Sequence, residues 1–568
     1  MVNNVGLAPF GGKMKSFYVK VLSVLAIIGL GILVYSNTFF SSFHFDDDLY
    51  IINNFAIRDI HHLLSVWKAC PCRFITFLSI ILNYHFSQLH VLGYHLFNIA
   101  VHLGSAILVW WLVLLTFSTP ALKEAKNKPL CLGFELPSVL ALLAGLIFVA
   151  HPVQIEAVTY IWQRAASLAA FFYLASLCCY IQSRLLEDMG FVSLRGGRSP
   201  TKQSLQRFYY ILSIVLAVLA MFTKENAITL PLMILLYEIS FLKDIKNVDW
   251  KHLFPFWIVL FIIPETMVLT GSGRFQEINA IVNGPGGITP WHYLLTQLRV
   301  MITYIRLSFF PINLNLDYDY SIFKNFFETP VLISFIFLAA ILYWAKCLFL
   351  KYRIISFSIF WFFLTLLPES SIVPQEDVIF EHRLYLPLVG YSLFLVSGVY
   401  YLAQKFNLKA MIIFLTLMIV CYSVLTYERN KVWTNEIILW EDVVNKSPHK
   451  ARAYNNRGWA YYNQGQFTKA MADYNKALAI NPGYIFSYDD RGLIYAKEGK
   501  YVQAIAEYNK AIAINPNYAM IYYNRGCAYL KKDNDNQALL DFDKAIILNP
   551  EYIDAQQQRD IILNRTKR

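Results

Sequence analysis

Apolar stretches of about 20 residues recur along the first 430 positions of this chain, and they constrain its fold more than any other feature. A helix needs roughly 20 such residues to cross the hydrocarbon core of a bilayer. The sequence predicts an all-α polytopic membrane bundle of about eleven spans, followed by a soluble domain. The predicted spans are 17–40, 95–118, 138–150, 163–182, 208–222, 227–242, 253–270, 330–350, 354–368, 387–403 and 410–427.

The composition excludes several other classes of protein. Hydrophobic residues make up 57% of the 568 residues and charged residues only 15%, whereas a soluble chain carries roughly 25% charged residues. A disordered, collagen-like or wholly soluble protein is therefore excluded. The eight cysteines show neither a zinc-type spacing nor an even disulfide framework.

Basic residues are unevenly divided between the two alternating sets of loops that join these spans. One set carries 19 Lys and Arg residues and the other carries 8, namely Arg58, Lys68, Arg73, Arg164, Lys224, Arg274, Lys324 and Arg383. Cytoplasmic loops are the richer ones, so the N-terminus is predicted inside and everything after residue 427 outside. Since topology accounts for the net charge of +11, no nucleic-acid partner is needed.

The last third of the chain repeats every 34 residues. Five columns keep this step: Gly458, Gly492 and Gly526; Pro482, Pro516 and Pro550; Ala470, Ala504 and Ala538; Tyr474, Tyr508 and Phe542; Ala477, Ala511 and Ala545. This is the tetratricopeptide pattern of stacked helix pairs. We therefore predict a repeat domain over 431–568, with a partial repeat at 434–448, repeats at about 451–484, 485–518 and 519–552, and a capping helix at 553–568. The concave face of such an array usually binds polypeptide.

Two segments of the membrane part mix apolar and polar residues at helical spacing. They are 55–94 and 290–311, and the second contains Arg299 and Arg306. Charges at the centre of a bilayer are costly. We therefore predict amphipathic helices that lie on the outer surface; if 290–311 spanned instead, the topology after it would invert, against the basic-residue count.

The first predicted outer loop contains three consecutive carboxylates, Asp46, Asp47 and Asp48. Their mutual repulsion raises the pKa of at least one of them unless a cation compensates. Such a cluster suits a general base or a metal ligand. A solvated loop or a helix N-cap is the alternative.

Cations and histidines gather on the other predicted outer loops. One loop carries His151, Glu156 and Arg164, another Lys224 and Glu225, and the last Glu381, His382 and Arg383. Several cations at one depth can bind a lipid phosphate by charge-assisted hydrogen bonds, although a lone Arg at a helix end usually only reaches for the headgroups. His95 and His102 share one face of a predicted span, where contacts between helices are as good an explanation as catalysis.

Five motifs in fixed order carry a resemblance to a known family. They are "HFDDDLYIINN", "GYHLFNIAVH", "HPVQIEAVTYIWQRA", "FTKENAITLP" and "EHRLYLPLVGY", and the repeats follow them. The chain resembles the transmembrane-and-tetratricopeptide-containing O-mannosyltransferases and their bacterial relatives in the glycosyltransferase C superfamily. The resemblance implies a sugar donor on a polyprenyl phosphate, with mannose as a candidate sugar, transfer on the outer side of the membrane, and a protein hydroxyl as acceptor.

The resemblance also implies roles for particular residues. The essential acidic motif of the family matches Asp46 and Asp47, and Asp48 extends it. Its histidine-proline loop matches His151, Glu156 and Arg164, and its lysine-glutamate and arginine-leucine-tyrosine motifs match Lys224, Glu225 and Arg383.

The residues themselves lead us to expect that Arg164, Lys224 and Arg383, with His151 and His382, hold the donor phosphate. The supporting residues are Asp48, Glu156, Glu225, Glu381, His95 and His102.

These residues lead to a hypothesis for the mechanism. Asp46 or Asp47 takes the acceptor proton, and attack opposite the phosphate inverts the anomeric carbon. No metal is required, although one bound by Asp46, Asp47 and Asp48 is an alternative. The partners are the bilayer, the polyprenyl-phosphate sugar, and an acceptor polypeptide or partner protein at the repeats.

Three other functions remain open from the sequence. The acceptor is alternatively a lipid-linked or cell-envelope glycan, or the protein is a membrane-anchored scaffold without enzymatic activity. A transporter would instead place polar residues at the middle of the bilayer. We favour a bacterial inner membrane with the repeats in the periplasm over the endoplasmic reticulum with the repeats in its lumen.

Overall fold

The computed structural model describes residues 8–122, 135–191, 200–243, 247–269, 287–403, 405–550 and 552–566. Every secondary-structure element within these ranges is a helix. The chain forms two compact units: residues 1–316 with 320–434, and residues 317–319 with 435–568. Part of the charge used to predict topology, including Lys123, Lys126, Lys128, Arg195, Arg198, Lys246 and Arg274, lies outside the described ranges, as does the end of the predicted span 253–270.

The first unit is built from sixteen described α-helices joined by short helical turns. They are α1 (Ala8–Val34), α2 (Leu63–Ala69), α3 (Phe74–Ser87), α4 (Val91–Thr116), α5 (Leu136–Ala150), α6 (Ile155–Val158), α7 (Arg164–Phe191), α8 (Pro200–Met221), α9 (Leu230–Tyr237), α10 (Trp250–Val259), α11 (Ile262–Leu269), α12 (Pro290–Phe309), α13 (Thr329–Leu348), α14 (Arg353–Leu366), α15 (Pro387–Leu402) and α16 (Leu408–Asn430).

Seven helical segments of the described chain are long and apolar enough to cross a membrane. They are Phe17–Val34, Val91–Thr116, Ile161–Glu187, Lys202–Met221, Glu225–Leu242, Thr329–Leu348 and Leu408–Thr434. The segment containing α7 is 83% buried, whereas the one containing α16 is 17% buried. A helix apolar all round belongs in the interior or against lipid, so α7 is central in this unit and α16 presents most of its surface outward.

Four of the eleven predicted spans do not form one unbroken helix long enough to cross a membrane. The segment 138–150 lies in α5, and the helical segment Pro152–Val158 follows α5 at an angle of 51°. These two helical segments make an eighth span only if they cross the membrane together. The segment 253–270 divides into α10 and α11, and Pro255 lies inside α10. The segments 354–368 and 387–403 coincide with α14 and α15, which have 14 and 16 residues.

Both segments predicted as amphipathic are largely helical. Residues 55–94 contain α2, α3 and the start of α4, and residues 290–309 form α12. Three α12 side chains bond to backbone carbonyls of the segment 367–384: Tyr293 to Glu369 at 2.7 Å, Gln297 to Val378 at 2.8 Å and Tyr304 to Phe380 at 3.0 Å. One face of α12 therefore holds this loop in place, while its position at the outer surface stays a prediction.

The second unit consists of antiparallel helix pairs. Its helices are α17 (Glu436–Lys446), α18 (Ala451–Asn463), α19 (Phe467–Ile480), α20 (Ile485–Lys497), α21 (Tyr501–Ile514), α22 (Ala519–Leu530), α23 (Asp535–Leu548) and α24 (Ile553–Thr566). The repeating glycines allow the two helices of a pair to touch. A Cβ added at Gly458 would lie 2.7 Å from Cε1 of Tyr474, which explains why a glycine faces an aromatic ring in each repeat.

Ion pairs also follow the period of 34. Arg457 donates from Nε and Nη2 to Asp473 at 2.8 Å each, and Arg525 donates to Asp541 at 2.9 and 2.6 Å. In the repeat between them, Arg491 Nη2 lies 3.3 Å from a carboxylate oxygen of Glu507. The two helices of each pair are thus joined by an ion pair as well as by packing.

Candidate active site

Most of the predicted site residues lie on the segments that follow α1, α5, α8 and α14, whereas His95 and His102 lie within α4. Two groups of charged residues stand out in the first unit. We call residues 44–48 the acid loop, and we call Arg73, Lys224, Glu225, Glu369 and Arg383 the cation cluster. Each group is built from segments far apart in the sequence.

Asp47 is the fully buried carboxylate of the acid loop. Its Oδ1 accepts the backbone N–H of Trp162 at 2.7 Å, and its Oδ2 accepts the N–H of His44 at 3.0 Å. Burial raises the pKa of Asp47 well above its usual value, although these two hydrogen bonds oppose the shift. Both carboxylate oxygens thus serve the protein itself, so Asp47 holds the loop in its conformation.

Asp46 is only partly buried. Its backbone N–H donates to Tyr160 Oη at 3.0 Å, and the Tyr160 side chain is 1% exposed. The Tyr160 ring lies near Trp433, with centroids 5.9 Å apart. Asp48 is also partly buried, and burial raises its pKa. Of the two residues that match the acidic motif, Asp46 is the one whose side chain reaches the surface of the loop.

Arg164 lies beneath the acid loop, fully buried. Its Nη1 donates to Asn83 Oδ1 at 2.5 Å and to the Ser79 carbonyl at 3.3 Å, and its Nη2 donates to the Tyr94 carbonyl at 3.3 Å. The guanidinium carbon is 4.7 Å from the centroid of the Phe97 ring. Arg164 therefore ties α3 and α4 to the start of α7, and its predicted contact with a phosphate stays a prediction.

Lys224 and Glu369 form the centre of the cation cluster. Lys224 Nζ lies 2.7 Å from Glu369 Oε1, and both side chains are buried. The contact is a buried ion pair, and the ammonium has two further N–H groups. Burial by itself would raise the pKa of Glu369, but Lys224 and Arg383 hold it below its usual value. The carboxylate is therefore ionised at neutral pH.

Arg383 is a second cation close enough to Glu369 to help lower the pKa of its carboxyl. Its Nη1 donates to the Val378 carbonyl at 3.0 Å, and its Nη2 donates to Gln375 Oε1 at 2.6 Å. Its Nε is buried without a hydrogen-bond partner. On the other flank, Arg73 Nε lies 3.3 Å from Glu225 Oε1. The three cations of the cluster therefore lie close together. Direct ion pairs with carboxylates neutralise only part of their positive charge.

Glu156 and His382 order the turn that carries Arg383. Glu156 Oε2 accepts the backbone N–H groups of Glu381 at 2.8 Å and His382 at 3.2 Å, and its Oε1 lies 2.6 Å from His382 Nδ1. Burial and the nearby charges of Lys224 and Arg383 hold the pKa of His382 well below its usual value. The imidazole is therefore neutral, and one proton joins its Nδ1 to Glu156 Oε1. Glu381 in turn accepts the N–H of Asn315 at 2.6 Å.

The three remaining predicted histidines bind backbone carbonyls between helices. His151 Nε2 lies 2.9 Å from the carbonyl of Ser308, and His95 Nε2 lies 2.9 Å from the carbonyl of Ser41. His102 Nε2 lies 3.2 Å from the carbonyl of Val149. All three side chains are fully buried. Each ring therefore serves as a contact between segments, in agreement with the structural alternative given for His95 and His102.

Helix α3 connects the acid loop with the cation cluster. Near its start, Thr76 donates to the Thr223 carbonyl at 2.9 Å, one residue before Lys224. Further along, Ser79 and Asn83 hold Arg164, and Phe77 packs on Trp162 with centroids 5.2 Å apart. Helix α3 therefore contacts both the residue before Lys224 and the segment that hydrogen-bonds to Asp47.

An apolar groove lies next to the loop that carries Glu369. It has a volume of about 490 Å³ and is lined by side chains of α9, α12, α13 and α14, including Leu236, Met301, Phe335 and Leu364. Its polar end is Ser370, the neighbour of Glu369, and Ser370 Oγ is buried without a hydrogen-bond partner. Phe335 is 44% exposed, so the groove opens toward the outer surface of the unit.

A further acidic group lies elsewhere in the first unit. Glu187, Asp249 and His252 form the group of potential metal ligands found among the described residues. Arg184 Nη1 lies 2.5 Å from Glu187 Oε2 and 3.8 Å from Asp249 Oδ2. The guanidinium supplies the positive charge there, so this group is explained as an ion-pair network.

Comparison with known proteins identifies the repeats first. The tetratricopeptide repeat family matches residues 451–484 and 519–552, and a second tetratricopeptide model matches 492–533. A solved structure, the first tetratricopeptide domain of Spaghetti (RPAP3), is 24% identical, covers 21% of this chain and 94% of its own, and has a TM-score of 0.21. The prediction of a tetratricopeptide domain is confirmed.

The relatives of the whole chain carry one name. Protein O-mannosyl-transferase Tmtc3 of Drosophila melanogaster is 25% identical over 551 residues, covering 83% of this chain and 56% of the relative. The chain resembles the protein O-mannosyl-transferases. Mouse TMTC3 is 23% identical, with 83% of this chain and 52% of the relative covered. The chain therefore matches about half the length of these O-mannosyl-transferases.

Proposed function

We propose that this protein is a membrane glycosyltransferase that moves a monosaccharide from a polyprenyl-phosphate carrier to a hydroxyl group of a polypeptide. The reaction takes place on the extracytoplasmic side and inverts the anomeric carbon, and mannose is the candidate sugar. The names of the relatives support sugar transfer to protein. The observation that carries the proposal is the apolar groove whose lining includes Ser370, the neighbour of the Glu369 carboxylate that pairs with Lys224.

The groove and the cation cluster together match the chemistry of the proposed donor. A polyprenyl phosphate joins a long branched hydrocarbon to a charged head, so its site needs an apolar channel that ends in cations. Leucine, phenylalanine and methionine line nearly all of the groove. Ser370 Oγ in its lining is buried without a hydrogen-bond partner, and so is Nε of Arg383 in the cation cluster. Buried polar atoms are rarely unpaired, and a phosphate oxyanion would accept hydrogen bonds from such donors.

Asp46 serves as the general base in this proposal. Its carboxylate takes the proton of the acceptor hydroxyl while the oxygen attacks the anomeric carbon. The bond from that carbon to the phosphate oxygen breaks on the opposite face, through an oxocarbenium-like state. Lys224 and Arg383 stabilise the negative charge that develops on the departing phosphate. Asp47 and Arg164 hold the acid loop and the neighbouring helices in position.

The second unit has a separate role in the proposal. Its tetratricopeptide repeats hold an extended acceptor polypeptide and raise the local concentration of its hydroxyl groups. Neither this role nor the reaction requires a metal. A bacterial inner membrane, with the repeats in the periplasm, is the proposed location.

A donor screen tests the proposed function. The full-length protein in lipid nanodiscs is supplied with polyprenyl-phosphate sugars and a peptide rich in Ser and Thr, and mass spectrometry follows glycopeptide and free polyprenyl phosphate together. We expect both products in equal amounts from at least one donor. The Lys224→Gln variant should form far less of each. Release of polyprenyl phosphate without any glycosylated peptide would contradict the proposed acceptor, and no release from any donor would contradict the donor class.

A further inference from the structure

Glu369 stands where the proposed donor phosphate would be expected. Its carboxylate lies 2.7 Å from Lys224 Nζ, and its side chain is 7% exposed. The backbone carbonyl of the same residue accepts a hydrogen bond from Tyr293 at 2.7 Å. A buried carboxylate at the head of an apolar groove is costly unless a cation compensates it, and Lys224 provides that cation.

The surroundings of Glu369 are suited to a second anion. Ser370 Oγ and Arg383 Nε have no hydrogen-bond partner, and the ammonium of Lys224 has further N–H groups besides the one that faces Glu369. Lys224 lies on the loop after α8, and the other two donors lie on the loop 367–384. Glu225, the other nearby carboxylate, is already paired with Arg73 at 3.3 Å. The donors nearest the groove can therefore form hydrogen bonds beyond those that Glu369 accepts.

We propose that Glu369 is an internal counter-anion that competes with the substrate phosphate for Lys224. This inference rests on the proposed function. In the resting protein Glu369 neutralises Lys224, and on donor binding the lipid phosphate takes over that contact with help from Ser370 and Arg383. Glu369 is then a positioning residue, because it acts through Lys224 and touches no reacting atom.

The competition favours release of the product. The phosphodiester of a lipid-linked sugar carries one negative charge, whereas the free phosphate monoester carries between one and two near neutral pH. Like charges at close range repel more strongly in a poorly solvated site. Glu369 therefore destabilises the bound product more than the bound donor, and it returns to Lys224 as polyprenyl phosphate leaves through the groove.

Binding of the product alone tests this inference. The probe is a polyprenyl monophosphate added to the full-length protein in nanodiscs, and the dissociation constant is measured for the wild type, Glu369→Gln and Glu376→Gln. Glu376 is a matched control because it is an exposed glutamate on the same loop. We expect Glu369→Gln to bind the monophosphate about tenfold more tightly, since one repelling charge is removed, and Glu376→Gln to bind like the wild type. Equal or weaker binding by Glu369→Gln would overturn the inference, and so would an absence of binding in all three proteins.

A second variant keeps the test decisive if Glu369→Gln does not fold. Ser370→Ala removes a hydroxyl that has no hydrogen-bond partner, so its thermal stability should match the wild type. We expect it to bind the monophosphate several-fold more weakly, and unchanged binding would contradict the phosphate position. Sugar transfer measured on the same samples separates the two proposals. If Glu369→Gln binds the monophosphate more tightly but the wild type transfers no sugar, only the proposed function is refuted. If the wild type transfers sugar but Glu369→Gln binds the monophosphate as the wild type does, only this inference is refuted.

Discussion

The carboxylate of Asp47 accepts the backbone N–H of Trp162 at 2.7 Å, across 115 positions of the sequence. This bond, with a second one from the N–H of His44, fixes the acid loop against the segment that leads into α7. It also distinguishes two neighbouring aspartates. Asp47 supports the loop from inside, whereas Asp46 is partly buried and is the residue that we propose as the general base.

The Asp47→Asn variant should lose stability. An amide offers one acceptor oxygen where the carboxylate offers two, so one buried N–H is left unpaired at a cost of about 1–3 kcal/mol. Thermal unfolding of the detergent-solubilised protein measures the loss. The matched control is Asp48→Asn, whose side chain is partly exposed and which should melt like the wild type. Equal melting temperatures for Asp47→Asn and the wild type would show that the two hydrogen bonds contribute nothing.

The Lys224–Glu369 pair should be strongly coupled. Lys224→Gln leaves the Glu369 carboxylate buried without its cation, which costs about 3–5 kcal/mol. The double variant Lys224→Gln, Glu369→Gln replaces the ion pair with two neutral amides and should regain most of that stability. A double-mutant cycle on thermal or denaturant unfolding measures the coupling, and additive effects would mean that the ion pair has no energetic importance.

Stability should fall in mild acid because of His44. Its ring is fully buried, with Nε2 2.6 Å from the Trp433 carbonyl. Burial lowers the pKa of His44 from 6.5 to about 4. Between pH 6.5 and 4 the unfolded chain therefore binds a proton at His44, whereas the folded chain does not. The contribution of His44 to the free energy of unfolding is complete above pH 6.5, and it falls by roughly 3 kcal/mol as the pH drops to 4.

Removing the titrating group tests this pH dependence. The His44→Gln variant should show a flatter dependence of melting temperature on pH between 6.5 and 4 than the wild type does. His62→Gln changes an exposed histidine on a neighbouring segment and serves as the control. Parallel curves for the wild type and His44→Gln would assign the acid sensitivity to other groups.

The repeat unit should not tolerate a larger residue at Gly458. A methyl group there would meet the Tyr474 ring at 2.7 Å, and overpacking of this kind costs typically about 1–3 kcal/mol. Limited proteolysis of the full-length protein should cut the repeats of Gly458→Ala faster than those of the wild type. Gly398→Ala is the control, because a methyl group at Gly398 would meet no atom within 4 Å. Identical cleavage rates would show that the helices of the pair can separate freely.

The repeat unit was the part most accessible from sequence. The positions of Gly458, Gly492 and Gly526 show a period of 34 residues directly. Each repeat packs only on its neighbours, so the same residue types recur at the same positions of every repeat. The membrane part was harder. Length and hydropathy locate apolar segments, but they do not show that α5 bends by 51° or that α14 ends after 14 residues.

The site was predictable as a set of loops and not as a set of contacts. The motif of three aspartates indicates a carboxylate cluster, yet which one is buried depends on Trp162, far away in the sequence. Arg164 was selected for its charge, whereas Ser79, Asn83 and Tyr94 engage that charge. Glu369 was missed, because a single acid after an apolar segment looks like any loop residue until Lys224 is brought beside it.

Sugar transfer by Asp46→Asn tests the central claim most directly. The variant and the wild type are reconstituted at equal amounts with a polyprenyl-phosphate sugar that the wild type uses, and glycopeptide formation is timed. Loss of a general base typically lowers the rate by about 10²–10⁴-fold, so we expect transfer to fall by at least about a hundredfold while the melting temperature is unchanged. Transfer at the wild-type rate by a correctly inserted Asp46→Asn protein would contradict the proposed mechanism.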